Sequence, residues 1–468
     1  MTKLSLSYII YSGEKMDTLY DKLKKIRKFH KCAFHMPGSK GGRAIPRKYR
    51  RGIWSLDYTE VTGTDNLHAP DGIIKDAETR AAEIYGSSRC FYLVNGSSCG
   101  ILSAAGYISD FGKKIIVDRN CHISTLNALR LFGMEPVFVM PEYISEYGIT
   151  GKISAEEIER VLQENPDTAA VFLTSPNYYG MVHDIKGISA VCKKYGKILC
   201  VDAAHGAHFA FSAKLPECAV NAGADIAIMS VHKTLPAPTQ ASIMHISGNI
   251  DAALMKKKIN IFQTTSPSYI LMAYTDVAVS YMNKNGAKEF DLLYKQISDF
   301  KKKCKLTVVP TDDFSRLVIN TCRAGKSGYE LANYLEKYGI IVEAADLYNI
   351  ICICGKGNTK RDFRRLLKYC NLFAMQNSSP ISPVSDIVLS EGKLIYNTNL
   401  PVEEVGVSEC ENRIAAETVT VYPPGVPVIF EGERFCPEQT EFIRHVIALG
   451  GKTIGVNNGK IKYFVENN

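Results

Sequence analysis

The chain has 468 residues, 46% of them hydrophobic and 22% charged, with 56 Lys and Arg against 48 Asp and Glu and a formal net charge of +8. These proportions exclude a disordered chain, a collagen and a small disulfide scaffold, and the length predicts two or three domains. No run approaches the ~18 unbroken apolar residues of a membrane-spanning helix. The first residues, MTKLSLSYIIYSGEK, lack the apolar core and small-residue cleavage site of a secretory signal, so a cytoplasmic protein is expected.

The basic runs at 24–31, 47–51, 256–258, 301–303 and 360–368 are short and scattered. They read as solvated surface, not as a nucleic-acid face, with an anionic ligand left open for one or two of them. None of the 14 cysteines is spaced CxxC, so no metal site is expected. The thiols are expected to be reduced and buried.

Between about 90 and 246 the chain alternates apolar runs with helix-length stretches. The runs are CFYLV (90–94), KIIVD (114–118), PVFVM (136–140), AAVFL (169–173), KILCV (197–201), DIAIM (225–229) and SIMHI (242–246). Apolar on both faces, they predict buried strands of a mostly parallel sheet with crossover helices. Ser154 followed by Glu157 predicts a capping box. After about 296 the pattern changes to short strands at 305–309, 315–320, 340–343 and 348–354, with a helix start at Ser327 and Glu330. QNSSPISPVSD (376–386) reads as a loop. TVTVY, a PPG turn at 423–425 and a helix near 437–449 follow. The organisation expected is a large α/β domain over 1–295, including an N-terminal segment 1–33, and a smaller α+β domain over 296–468.

Ligands in open α/β sheets bind beyond the carboxyl ends of the strands. Four such ends carry chemistry. Asn95-Gly96-Ser97-Ser98 follows CFYLV and opens a helix, which suits a phosphate, although an ordinary serine N-cap reads the same way. Asp202 ends KILCV, where a buried carboxylate needs a partner. Ser230-Val231-His232-Lys233 follows DIAIM; a lysine there can condense with a carbonyl. His122 follows KIIVD, with a core or capping histidine as the plain alternative. A phosphate site, a carboxylate for a ring nitrogen and a lysine for an aldehyde together match pyridoxal 5'-phosphate. A dinucleotide lacks its GxGxxG.

The segments FHMPGSKGG (34–42), DYTEVTGTDNLHAPDG (57–72), LVNGSSCG (93–100), VDAAHGAHF (201–209), SVHKTLPAPTQ (230–240) and TTSPSYILMA (264–273) carry a resemblance to a known family. ADLYN (345–349) and YPPGVP (422–427) extend it into the C-terminal part. The chain resembles the bacterial ornithine/lysine/arginine decarboxylases, in their short form without an N-terminal wing domain. The resemblance implies a fold-type-I pyridoxal-phosphate large domain, a smaller C-terminal domain, a homodimer or higher homo-oligomer, and a lyase acting on a basic amino acid in polyamine formation. It implies that Lys233 holds the cofactor aldehyde, Asp202 its ring nitrogen and His122 a ring face. It sets Gly96, Ser97, Ser98, Ser230 and His232 around the phosphate and His205 near the ring hydroxyl or substrate. Ser266 would reach the neighbouring subunit's site.

Two positions depart from the family. It commonly has Asp-Glu-Ala-His where this chain has Asp202-Ala203-Ala204-His205, and Pro-Gly-His-Lys where this chain has Pro37-Gly38-Ser39-Lys40. An aminotransferase or lyase on the same fold, with Arg316 taking the substrate carboxylate, is the alternative; a non-catalytic member is the third reading. Asp57, Glu60, Asp65, Glu343 and Asp346 are the candidate partners for a cationic substrate side chain.

Overall fold

The seven apolar runs pair into one sheet. The computed structural model describes residues 18–376, 379–381, 400–422 and 426–466. The predicted loop at 382–386, the PPG turn and the N-terminal fifteen-letter segment lie outside them. The strands are β1 (Arg89–Leu93), β2 (Lys114–Asp118), β3 (Glu135–Val139), β4 (Ala170–Thr174), β5 (Ile198–Asp202), β6 (Ile226–Met229) and β7 (Ser242–Ile246). Their spatial order is β3-β2-β4-β5-β6-β7-β1. All pairings are parallel except those of β7, which runs antiparallel to both β6 and β1. One antiparallel strand leaves β1, β2, β4, β5 and β6 ending at the same edge. That edge gathers the four predicted strand ends.

The central strands are buried throughout, as their two-sided apolar composition predicts. PVFVM differs. It is the edge strand β3 and half exposed. Its apolar surface is covered by the C-terminal region instead: Phe138 stacks on Phe430 at 5.4 Å.

The later part holds an antiparallel sheet built on β8 (Arg316–Asn320) and β9 (Asn349–Ile353), flanked by Thr307–Val308 and Ala344–Ala345. The run at 340–343 does not join it. Ile340–Val342 pairs in parallel with Cys32–Phe34, a three-residue strand near the start of the chain. Asn358 Nδ2 also donates to Ala33 O at 2.9 Å. The N-terminal segment is thereby fastened to the later part of the chain. A helix over Tyr269–Lys303 runs without a break from the large sheet towards the smaller one. Two three-stranded antiparallel sheets and the helix Pro437–Ala448 complete the C-terminal region.

Of the two predicted capping boxes, Ser327 with Glu330 forms in full. Ser154 forms half of one. Its hydroxyl accepts from Glu157 N–H, but the Glu157 carboxylate takes two hydrogen bonds from Arg160, one turn on, in place of the return bond to the cap. All 14 cysteines are unpaired and 12 are buried. No described helix is long and apolar enough to cross a membrane.

The C-terminal region is pinned to the large sheet by a fully buried ion pair. Arg119, just past β2, donates to Glu433 at 3.0 Å and to the carbonyls of Pro427 and Val428, over the ring of Phe430. Losing one partner of such a pair strands a charge without water. Arg119→Met is expected to cost about 3–5 kcal/mol in urea unfolding, and adding Glu433→Leu to recover most of it. Equal losses in the single and double variants would show that charge pairing is not what Arg119 contributes.

Candidate active site

The strand ends converge on Lys233. The lysine lies on a four-residue helix, Val231–Thr234, directly after β6, and is partly buried. Its Nζ is 3.1 Å from Nε2 of His205, which follows β5. On the other side of that imidazole, Arg316 Nη2 donates to Nδ1 at 2.6 Å. Arg316 opens β8, so the site is closed by a residue of the second sheet.

This chain of contacts fixes protons. A guanidinium has donors and no acceptor. Nδ1 of His205 therefore accepts, and the neutral ring carries its proton on Nε2. Nε2–H then donates to Lys233, which needs a lone pair to receive it. Lys233 is a free amine. Electrostatics agrees. Burial lowers the lysine pKa, Arg316 lowers it further, and Asp202 and Glu343 oppose. His205 is driven well below the usual imidazole range, first by burial and then by its neighbours Lys233 and Arg316.

Arg316 is 0% exposed, and its Nε and Nη1 are buried without a partner. Its stem passes over Gly180, where φ is +89° and a Cβ would lie 2.6 Å from Arg316 Cγ. The next anchor is Asp313. Its backbone N–H donates to Gly180 O, its backbone carbonyl accepts from Arg316 N–H, and its carboxylate meets His208 Nε2 at 3.1 Å and Ser315 Oγ at 2.7 Å. Burial alone would raise the Asp313 pKa; His208, Arg316 and Ser315 hold it below the usual range. The two histidines of VDAAHGAH thus each hold one residue of the DDFSR segment.

Asp202 is 2% exposed at the end of β5. Among the described residues its carboxylate takes one hydrogen bond, from Ala204 N–H to Oδ1 at 3.0 Å. His122 is the N-cap of the helix Ile123–Phe132, with Nδ1 accepting from Ser124 N–H at 3.1 Å. It lies in the field of Asp202 and Lys233, and burial lowers its pKa.

Asn95 is the N-cap of the helix Gly96–Ile108 and makes no side-chain cap, which leaves the first-turn N–H groups to an anion. Gly96 has φ +78° and open space where a Cβ would stand. Ser230 Oγ, fully buried, donates to Ser97 Oγ at 2.9 Å, joining two strand ends in one hydroxyl cluster. Ser98 is exposed beside it. His232 donates Nδ1–H to Ala241 O at 3.0 Å, and burial pushes its pKa down to about 4.

Ser266 is not brought to the Lys233 cluster. It lies on an exposed loop tied through Thr264 to Asn95 and His68.

The five carboxylates separate. Asp65 spends its oxygens on the N–H groups of Asn66, Asp71, Gly72, Ile74 and Lys75. Burial would raise its pKa, but those bonds hold it at about 2. Asp346 is enclosed, raised to about 6 by burial, and bonded to Tyr348 N, Asn349 N and Tyr179 OH. Asp57 and Glu60 are exposed. Glu343 remains in the field of Lys233, held by Met36 N–H at 2.6 Å and Tyr178 OH at 2.9 Å. Tyr178 in turn packs edge-on against His205.

Sequence reasoning missed Asp313, His208, Tyr178 and the tautomer set by Arg316. The only signal was DDFSR, a polar cluster leading into a buried strand.

The residues fit the cofactor they predict. A free-base lysine, a buried carboxylate with an unused oxygen, and a hydroxyl-lined helix start all stand on one sheet edge. With this strand order, they define a fold-type-I pyridoxal-phosphate enzyme scaffold. The chain belongs to the Orn/Lys/Arg decarboxylase family: the family's major domain matches residues 17–318 and its C-terminal domain residues 394–452. An arginine decarboxylase of Bacillus subtilis (strain 168) is 33% identical over 452 residues, spanning 91% of this chain and 92% of that one. An arginine decarboxylase of Halalkalibacterium halodurans is 32% identical over 469 residues, spanning 92% and 94%. The constitutive lysine decarboxylase of Escherichia coli shares the fold with a TM-score of 0.73 at 17% identity, across 98% of this chain and 81% of that one.

The proton arrangement has a measurable consequence. Removing the Arg316 cation raises the Lys233 pKa, so less free amine is present at neutral pH. In Arg316→Met, the acid limb of the rate of cofactor uptake by the apo-protein should move to higher pH. Arg316→Lys should restore much of the shift. An unmoved limb in Arg316→Met would show that Arg316 does not set the lysine's protonation.

Proposed function

We propose that the protein is a pyridoxal-phosphate-dependent decarboxylase of a basic amino acid, with arginine as its substrate. The observation that carries the reading is the amine of Lys233, held neutral by burial and by the His205–Arg316 pair in a chain of this family. The names of the relatives at 32–33% identity over nine-tenths of the chain support arginine over lysine and ornithine.

In this reading Lys233 binds the cofactor aldehyde and Asp202 its ring nitrogen. His122 covers a ring face. Gly96, Ser97, Ser98, Ser230 and His232 take the phosphate. When bound, the cofactor supplies the sink for the electron pair left on Cα as CO2 departs. Asp202 makes that sink effective by remaining a carboxylate beside a protonated ring nitrogen. Nε and Nη1 of Arg316, without a partner among the described residues, hold the substrate carboxylate, which fixes the bond to be broken. His205 Nε2–H and Lys233 Nζ form the donor–acceptor pair from which a proton returns to Cα. Glu343, already placed by Met36 and Tyr178, offsets positive charge in a site that receives a cationic substrate.

We further infer a homodimer in the cytoplasm, with a large domain to about 295 and a smaller one beyond it. Residues 51–63 are exposed in an unbroken run that includes Ile53, Leu56, Tyr58, Val61 and Trp54, the chain's one tryptophan, at 81% exposure. A second copy covering this run accounts for the apolar surface. In that arrangement Ser266 serves the neighbouring site. Fourteen unpaired thiols suit a reducing compartment.

Two experiments test these readings. The purified holoenzyme should release CO2 and agmatine from arginine, with kcat/KM for lysine and ornithine lower by about tenfold or more. Lys233→Ala should lose both activity and the near-visible absorbance of the lysine-bound cofactor. A holoenzyme with that band but no CO2 from any of the three would overturn the decarboxylase reading and leave the fold standing. Trp54→Glu should weaken self-association by about a hundredfold in sedimentation equilibrium. Unchanged association would place the dimer contact elsewhere.

A further inference from the structure

A second cavity, of about 360 Å³, lies between the helix Leu19–Phe29 and the FHMPGSKGG loop. Six basic residues line it: Arg27, His30, Lys31, His35, Lys40 and Arg43. None of the described residues lining it is acidic. An adjoining cleft of about 320 Å³ shares Lys31 and Arg43 as its wall and adds Arg361 and Arg365. The one carboxylate there, Asp362, is already engaged by Arg43 at 3.0 Å and by Thr359 N–H. Arg27 and Lys31, Arg43, and Arg361 and Arg365, far apart in sequence, therefore meet at one hollow.

Lys40 is 3% exposed and donates to the carbonyls of His35 and Ile353, at 2.5 and 2.8 Å; burial pulls its pKa down to about 8 against the opposing field of Glu343. The His35 ring has its Nε2 buried with no hydrogen-bond partner. Its edge faces the His30 ring at 5.5 Å. Arg27, Lys31 and Arg361 are exposed and hold no carboxylate. Like charges crowded in a concave, partly dry site repel unless an anion joins them.

We propose that this basin is a binding site for a small phosphate-bearing anion, distinct from the cofactor's phosphate cradle. Two clefts meeting at Lys31 and Arg43 suit an extended, multiply charged phosphate more than a single one. Arginine and lysine are the residues that hold such groups. The basin also backs onto the Lys233 site. Its loop sends Met36 N–H to Glu343 and Gly38 N–H to His232 O. Gly38 is packed so closely on Leu235 that a Cβ would lie 2.4 Å from its carbonyl oxygen. An anion in the basin thus rests on a segment that two residues of the catalytic cluster lean upon.

Calorimetric titration of the holoenzyme with inorganic tripolyphosphate at ~0.1 M salt tests this, because the bound cofactor already fills the phosphate cradle. One saturable site per chain is expected. Lys31→Glu and Arg361→Glu, on opposite walls, should each weaken binding by about tenfold or more, while Lys257→Glu, an exposed lysine on another helix, should change it less than about twofold. The cofactor band and melting temperature check that each variant is folded. No saturable binding by the wild type would overturn the proposal. So would an equal loss in Lys257→Glu, which would mark a general charge effect.

Discussion

An arginine and a lysine share one buried imidazole, and the rest of the site follows from how that is made tolerable. Taking a charge out of water is costly unless it is paired or neutralised. Arg316 cannot give up its proton; Lys233 can. His205 decides between them, since it accepts from the arginine on one nitrogen and must then donate to the lysine from the other. The free amine of Lys233 follows from this geometry together with burial and the field of Arg316. Asp202 is near enough to temper the positive field, and among the described residues only Ala204 N–H donates to its carboxylate.

That arrangement needs both sheets. His205 and His208 belong to the loop after β5, whereas Asp313, Ser315 and Arg316 lead into β8, more than a hundred residues on. The buried cluster of His208, Asp313 and Ser315 makes no contact with Lys233 in the structure, yet it sets where Arg316 begins its strand. It acts as a hinge pin, with every member below 2% exposed. The long helix Tyr269–Lys303 spans the gap and delivers the chain from one sheet to the other. A substitution at Asp313 would thus be felt at Lys233 through two intermediaries.

The parts legible in the sequence were those governed by local pattern. Strands apolar on both faces, such as KIIVD and SIMHI, appear with the bounds their composition implies, because burial on both faces leaves only one kind of residue admissible. Lys233, Asp202 and His205 stood out because polar residues ended such strands. PVFVM shows where the rule fails: an edge strand covered by Phe430 from a distant region has the same composition as a buried one. Cys32–Phe34 is too short to signal itself, and its partner lies some 300 residues away. Glu157 had two partners within one turn, and the guanidinium of Arg160 outcompeted a backbone N–H. His122 satisfied both of its readings, as a helix cap and as a member of the site. Long-range pairings such as Arg316 with His205 leave no periodicity to read.

The two departures from the family pattern acquire a physical meaning from this geometry. Position 203 is 2% exposed, among core residues. A glutamate there would have to bury its charge beside Asp202 and find a partner; alanine takes the place at no electrostatic cost. It also leaves the surroundings of Lys233 more positive, which favours the free amine. Ser39 is 8% exposed and lines the basic basin next to Lys40. A histidine in its place would add a third imidazole to His30 and His35 and fill part of the hollow. Serine gives back that volume and offers a hydroxyl that donates without carrying charge. Both changes remove a titratable group, one beside Asp202 and one within the FHMPGSKGG loop. Together they leave the protonation of Lys233 governed by Arg316 and Asp202, with fewer competing groups than the family's usual residues would supply.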